Sequence, residues 1–330
     1  MDWASIIENG IKAGVRPEAA YFALAAIGLN IHFGYTGLLN FGQAGFMAMG
    51  AYGLAIPVFA WDWPWWTGVF IGLAASVIFA FALGVPTLRL RADYLAIVTI
   101  AAAEIVRFIF RATDLREYTG GSNGINGFST GFFDLSPFTG TINIGPFDFT
   151  AREMWVMVVG WGLVFAGIGL TYLMIDSPWG RVLKAVREDE DAARALGKNA
   201  YSMKMQSLII GGLYGALAGM ILALSQGSVQ PSPTDLGPPK TFFAYAALIL
   251  GGTGRLWGPV IGSVLFISLL AFTDNILRQA QAADYIPESF ITGTEVGVIR
   301  FVLLGIGLMA LMLFRPQGIF GDRREMAFDV

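Results

Sequence analysis

The 330-residue chain contains no cysteine, which excludes disulfides, iron–sulfur clusters and thiolate metal sites. Its single histidine, His32, excludes a multi-histidine metal centre. Charge is scarce: 14% of the residues are charged, against roughly 25% in soluble domains. The 21 basic and 24 acidic residues leave a net charge of −3, so there is no basic field to attract nucleic acid. What is left is apolar, with 55% hydrophobic and 14% aromatic residues and a mean hydropathy of +0.61. This composition excludes an ordinary soluble enzyme and predicts an all-α integral membrane protein in a lipid bilayer. Residues 1–16 carry Asp2, Glu8, Lys12 and Arg16 without an apolar stretch of signal-peptide length, so no signal peptide is expected. Ile6–Val15, short and mixed, is expected to be a frayed lead-in up to residue 17 rather than an amphipathic surface segment.

About 20 apolar residues, rising about 1.5 Å each, cross a hydrocarbon core of about 30 Å. On that ruler the candidate spans are Glu18–Tyr35, Gly37–Ala60, Trp65–Leu88, Ala92–Ala112, Glu153–Asp176, Lys204–Gln226, Thr241–Gly252, Leu256–Asn275 and Val296–Phe314. The expected architecture is therefore 8–9 transmembrane or partly spanning helices in one polytopic domain, 1–330. Thr241–Gly252 reaches only about 18 Å and reads as a half-helix. Gly37–Ala60 reads as irregular, because Gly42, Gly45, Gly50, Gly53 and Pro57 weaken a straight helix. A broken helix survives in a bilayer only where protein or a water-filled cavity satisfies its backbone.

Positive charge sets orientation. Arg181, Lys184, Arg187, Arg194, Lys198 and Lys204 in Ser177–Lys204, Arg89 and Arg91 in the 86–92 link, and Arg315, Arg323 and Arg324 in the tail should face the cytoplasm. Segment 113–152, with only Arg116 and Arg152 against four acids, should form an ordered extracytoplasmic cap. The Trp61, Trp63, Trp65 and Trp66 cluster reads as an interfacial anchor.

The 177–204 segment is too polar to cross the bilayer, yet Val182, Ala185, Val186, Ala193 and Leu196 recur at helical steps. It reads as one amphipathic helix stopped by Gly197, suited to a partner's groove or simply a solvated loop helix. Its Asp191-Ala192-Ala193, followed three residues later by Gly197, resembles the EAA motif of ABC importer permeases, with Asp in place of Glu. Five further blocks resemble the LivM-type permeases of branched-chain amino acid importers. They are GYTGLLNFGQAGFMAMGAY (34–52), RLRADYLAIVTIAAAEIVR (89–107), TGGSNGI (119–125), LILGGTGRLWGPVIG (248–262) and FRPQGIFG (314–321).

That resemblance implies a permease subunit in a bacterial plasma (inner) membrane. It also implies a LivH-like sister permease, two ABC ATPase subunits and an extracytoplasmic substrate-binding protein. On it, Arg187, Glu188, Asp191, Ala192, Ala193 and Gly197 form a cytoplasmic coupling helix. The chain has no GxxxxGK[ST] loop, so no cofactor is expected on it and ATP would be hydrolysed by partner subunits. A urea or short-chain amide importer is the neighbouring alternative, and an ion-coupled secondary transporter the alternative of another class.

Polar residues at membrane depth are the path candidates. Asn40 and Gln43 either line a translocation route or fasten neighbouring helices, and for Asn30 and His32 fastening is favoured. Glu104 and Arg107 share a helical face, where they either orient a zwitterion or form a structural pair near the outer interface. Thr119, Gly121, Ser122 and Asn123 make a turn able to offer N–H groups to a carboxylate or to act as a connector. Gly211, Gly215 and Gly219 give α-helical close packing. No metal cluster and no catalytic set is found among these residues, so no catalytic residue is nominated.

Overall fold

A computed structural model describes residues 2–90, 92–283, 293–315 and 318–320. Arg91, Arg323 and Arg324, and Pro316, Gln317 and Gly321 of the last block, lie outside the described residues.

The chain opens with α1 (Trp3–Val15), which is a helix and not a frayed lead-in. Asp2 caps it, accepting from the Ala4 and Ser5 amides at 3.1 and 3.3 Å. Ile6, Gly10, Ala13 and Gly14 share one buried face, while Trp3, Ile7 and Ile11 are exposed. Span arithmetic passes over such a helix, because it lies along another helix instead of crossing alone. Arg16 is extended ahead of Pro17, and α2 (Pro17–Leu29) starts there. A π-helical turn, Asn30–Tyr35, continues α2 without a break.

After a non-helical stretch, α3 (Gln43–Trp61) and α4 (Trp65–Thr87) form a hairpin closed by the tryptophan cluster. Then come α5 (Ala92–Arg111), α6 (Arg116–Thr119), strand β1 (Ile125–Asn126), α7 (Thr130–Phe133) and the hairpin β2 (Thr141–Ile144) and β3 (Phe147–Thr150). The helices α8 (Ala151–Ile175), α9 (Pro178–Glu188), α10 (Glu190–Ala195) and α11 (Ala200–Gln226) follow. Strand β4 (Ser228–Val229) and α12 (Pro233–Leu236) precede α13 (Pro238–Gly251), α14 (Gly258–Ala282) and α15 (Gly293–Phe314).

The fold is all-α in character. Five helices, α3, α4, α8, α11 and α14, are each long and apolar enough to cross a membrane. The expected half-helix is α13, whose 14 residues rise about 21 Å. α2 is apolar on every side and correspondingly buried on every side, packed by α8, α11, α13 and α14. By contrast, α4 and α8 turn Phe70, Ile78, Phe81, Phe165 and Leu173 outward, as helices facing lipid do. The Gly211, Gly215 and Gly219 stripe packs within the chain. Cβ atoms there would strike His32, Gln43 and the Met47 carbonyl respectively.

Two faces follow from the contacts. On one, the loop face, β1 pairs antiparallel with β4, matching Ile125 to Val229, so segment 113–152 is pinned to the end of α11. Lys12 meets Asp148 at 2.9 Å and Arg16 meets Glu153 on that face. Trp61 packs on Tyr118 and Trp65 on Phe132 there. On the other, the helical-loop face, α9 lies beside Gly34–Gly37, and Arg89 covers the Tyr201 ring.

Candidate functional site

The polar segment between α8 and α11 is built by its caps. Ser177 accepts from the Trp179 amide at 3.2 Å, and Pro178 opens α9. Sequence rhythm predicts one helix here, but there are two. Asp189 is extended (φ −152°) and caps α10, accepting from the Asp191 and Ala192 amides at 2.9 Å each. Its side chain offers those amides a better partner than an uninterrupted helix would. The segment ends as expected at Gly197 (φ +77°). The Gly197 amide donates to the Arg194 carbonyl at 2.9 Å and the Lys198 amide to that of Ala193 at 3.1 Å.

Burial divides the six nominated residues. Ala193 turns inward with Val186 and Ala200. Glu188, Asp191, Ala192 and Gly197 are exposed. Leu196, between Ala195 and Gly197 in the chain, is an apolar side chain 81% exposed. Arg194 is bonded to Glu190 at 2.6 Å and to Asp191 at 3.5 Å, which holds α10 in shape. The sixth, Arg187, points into the body of the protein. Its guanidinium donates to the Gly34 carbonyl, its stem lies over Gly37, and Lys184 covers the Tyr35 ring at 5.8 Å.

Gly34–Gly37 ends the π turn, and beyond it residues 37–42 have no regular structure. Side chains from distant helices satisfy this exposed backbone. Thr99 of α5 accepts from the Phe41 amide at 3.0 Å, and Thr241 of α13 from the Ala44 amide at 2.9 Å. Tyr245 donates to the Asn40 carbonyl at 3.0 Å.

Asn40 and Gln43 sit fully buried beside His32. The Asn40 amide donates to His32 Nδ1 at 3.1 Å and to Gln43 Oε1 at 3.4 Å, while its oxygen accepts from the Gly42 amide at 2.9 Å. Gln43 donates to the carbonyls of Gly211 and Ala25 at 3.2 and 3.4 Å. His32 Nε2 faces the Leu208 carbonyl at 3.3 Å. These partners assign a neutral ring with its proton on Nε2. The polar atoms of all three side chains are thereby engaged within the chain, joining α2, α3 and α11. Asn30 holds the α13–α14 turn, donating to the Arg255 carbonyl at 2.9 Å and accepting from the Gly254 amide at 2.8 Å.

Glu104 and Arg107 lie about 7.5 and 12 Å farther along α5 than Thr99, on the usual helical rise, toward the loop face. They form a close pair, with Arg107 Nη2 2.6 Å from Glu104 Oε2 and Nε 3.0 Å from Oε1. Arg107 is 5% exposed and also donates to the Pro231 carbonyl at 3.2 Å, tying α5 to the chain after β4. The 119–124 turn adjoins it, with Arg111 donating to the Ser122 hydroxyl at 3.4 Å. The Gly121 amide donates to the buried Thr119 hydroxyl at 3.2 Å, while Ser122 and Asn123 are exposed. The nominated path residues thus form two groups, one buried around Asn40 and one beneath the loop face.

A family model described as branched-chain amino acid transport system / permease component matches residues 17–314. The chain belongs to this permease family. It is 29% identical to the high-affinity branched-chain amino acid transport system permease protein LivM of Salmonella typhimurium, over 96% of this chain and 71% of the relative. The probable LivM of Methanocaldococcus jannaschii is 25% identical, over 92% and 91%. LivH of Salmonella typhimurium is 26% identical, over 95% and 94%. The matched residues take in both the α9–α10 segment and the buried polar group.

Sequence reasoning missed Thr99, Thr241 and Tyr245, whose hydroxyls serve backbone far away in sequence. Hydroxyl residues inside an apolar span were the available signal.

Proposed function

We propose that this chain is one of two homologous permease subunits of an ATP-driven importer of branched-chain amino acids in a bacterial inner membrane. The helical-loop face is cytoplasmic, and segment 113–152 is extracytoplasmic. Two separate ATPase subunits bind and hydrolyse ATP, and an extracytoplasmic binding protein delivers substrate. The likeness to both LivM and LivH along nearly the whole chain supports a pair of similar permeases around one route.

The observation that carries the reading is the α9–α10 segment. Its exposed residues include Leu196, a small apolar knob, together with Asp191, Ala192 and Gly197. Its inner surface is bonded through Arg187 to the carbonyl of Gly34. A push on the knob therefore reaches the π turn and the irregular 37–42 chain, where a π turn offers a ready site of rearrangement. On this reading His32, Asn40 and Gln43 fasten the moving parts, and Glu104 with Arg107 holds the outer end of α5. A gradient-driven transporter needs a membrane acid free to exchange its coupling ion. Glu104 is instead engaged by Arg107 through both oxygens.

The test is uptake by the full complex in proteoliposomes with labelled leucine, isoleucine, valine and urea. Import of the amino acids that survives an ionophore and stops when ATP hydrolysis stops supports the reading. Import of urea alone overturns the substrate, and import that follows an ion gradient overturns the mechanism.

A further inference from the structure

On the loop face a cavity of about 670 Å³ opens among α2, α13, α14 and α15, within the usual span of small-ligand pockets, about 300–1,000 Å³. None of the residues nominated from sequence lines it. Lys240 does, in the first turn of α13, and it is only 9% exposed. Its ammonium donates to the Tyr21 hydroxyl at 3.1 Å and lies 5.3 and 5.5 Å from the Tyr21 and Phe22 ring centres. Among the described residues no carboxylate forms an ion pair with it. Glu18 and Asp235 are the acids whose charge reaches it, neither within ion-pair distance, so the ammonium keeps N–H groups to offer an anion brought into the cavity.

Both acids line the same cavity with no cation within ion-pair distance among the described residues. Glu18 accepts from the Tyr21 hydroxyl at 3.2 Å. Asp235 accepts from the Ser232 hydroxyl at 2.6 Å and the Gln226 amide at 3.2 Å, both neutral donors. The other charges lining the cavity are committed elsewhere: Asp274 to Arg278 and Arg300, and Arg16 to Glu153. Between these groups the wall is apolar, built by Phe22, Phe243, Ile267 and Leu270. Phe22, Phe243 and Phe266 lock together with ring centres 5.8–6.4 Å apart, which keeps that wall firm.

We infer that this cavity is a receiving site for a free apolar α-amino acid at the outer mouth of the permease. Lys240 takes the carboxylate, Asp235 and Glu18 take the ammonium, and the Phe22–Phe243 wall takes the aliphatic side chain. A zwitterion offers an anion to Lys240 and a cation to the two acids together, and its binding adds no net charge to the cavity. Neutral solutes such as urea offer neither. The inference rests on the importer reading above and adds to it a substrate site belonging to the permease itself.

The test is equilibrium binding of labelled leucine to the purified permease–ATPase complex in nanodiscs, with leucinamide and 4-methylpentanoate as competitors. The first lacks the carboxylate and the second the ammonium. The expected result is leucine binding, with each competitor weaker by at least about tenfold, the scale of a lost charge-assisted bond. Lys240→Met is expected to weaken leucine by a similar factor and to abolish the preference over leucinamide, and Lys240→Arg to restore part of it. Asp235→Asn, read against 4-methylpentanoate, tests the other end of the site should Lys240→Met fail to yield an assembled complex. Equal binding of leucine and leucinamide to the wild type, or unchanged discrimination in both variants, overturns the site. Import of leucine by a complex that binds none without its binding protein also overturns the site and leaves the importer reading standing. A complex that hydrolyses ATP with its binding protein present but imports no amino acid overturns both.

Discussion

Arg187, on the last turn of α9, donates to the backbone carbonyl of Gly34, on the π turn that ends α2. One side chain thus links the α9–α10 segment to the π turn and to the non-helical 37–42 stretch that follows it. Removing it as Arg187→Ala should slow import by about tenfold or more, the scale of one charge-assisted hydrogen bond. The complex should still assemble, because the knob around Leu196 is untouched. Uptake by reconstituted Arg187→Ala, with ATPase co-purification as the control, checks this.

Gly197 separates shape from contact. Its φ of +77° favours glycine, but a Cβ there meets nothing within 4 Å. Gly197→Ala should therefore cost about 1 kcal/mol of backbone strain and little transport. Gly197→Asp projects a charge from the knob and should lower both ATPase co-purification and import well beyond the alanine variant. Equal behaviour of the two variants would remove the knob from the interface.

Asn40 makes three hydrogen bonds in a site closed to solvent. Asn40→Leu leaves the Gly42 amide, His32 Nδ1 and Gln43 Oε1 short of a partner, at about 1–3 kcal/mol for each group left unsatisfied. The expected outcome is a lower thermal midpoint together with reduced import. Lost import at an unchanged midpoint would instead make Asn40 a path-lining residue.

The Glu104–Arg107 pair should obey the rule for buried ion pairs. Arg107→Met alone strands Glu104 and frees the Pro231 carbonyl; because Glu104 is 26% exposed, the cost falls below the about 3–5 kcal/mol of a fully buried pair. The double change Glu104→Leu with Arg107→Met should recover much of that loss. Thermal denaturation of the four proteins of this cycle measures the coupling, and additive effects would show that the pair is not a unit.

Much of this was legible in the sequence because single residues carry it. Gly197 announces the stop of α10 by its place after a helical rhythm. Gly37–Ala60 is broken only over 37–42; Gly45, Gly50, Gly53 and Pro57 lie inside the uninterrupted α3, where Gly50 and Gly53 instead allow close packing on Ala216 and Gly72. The short Thr241–Gly252 run is already too brief to cross alone. Other features depend on partners far along the chain. Asp189 looks like one charge in a run, and only its extended backbone reveals a cap between two helices. α1 falls short of the membrane ruler because α14, not its own length, supports it. Lys240 stands at the edge of an apolar run, where a lysine ordinarily reaches water. Its burial needs Tyr21 and Phe22, more than two hundred residues earlier.

The central claim is that the α9–α10 tip is where force from separate ATPase subunits enters the chain. Since the protein has no cysteine, a Leu196→Cys variant carries one thiol, at the knob. Coupled to a photo-crosslinker in the assembled complex, it should join an ATPase subunit, whereas Trp66→Cys on the loop face should not. Crosslinking from Trp66→Cys, or none from Leu196→Cys in a complex that still imports, would contradict the account.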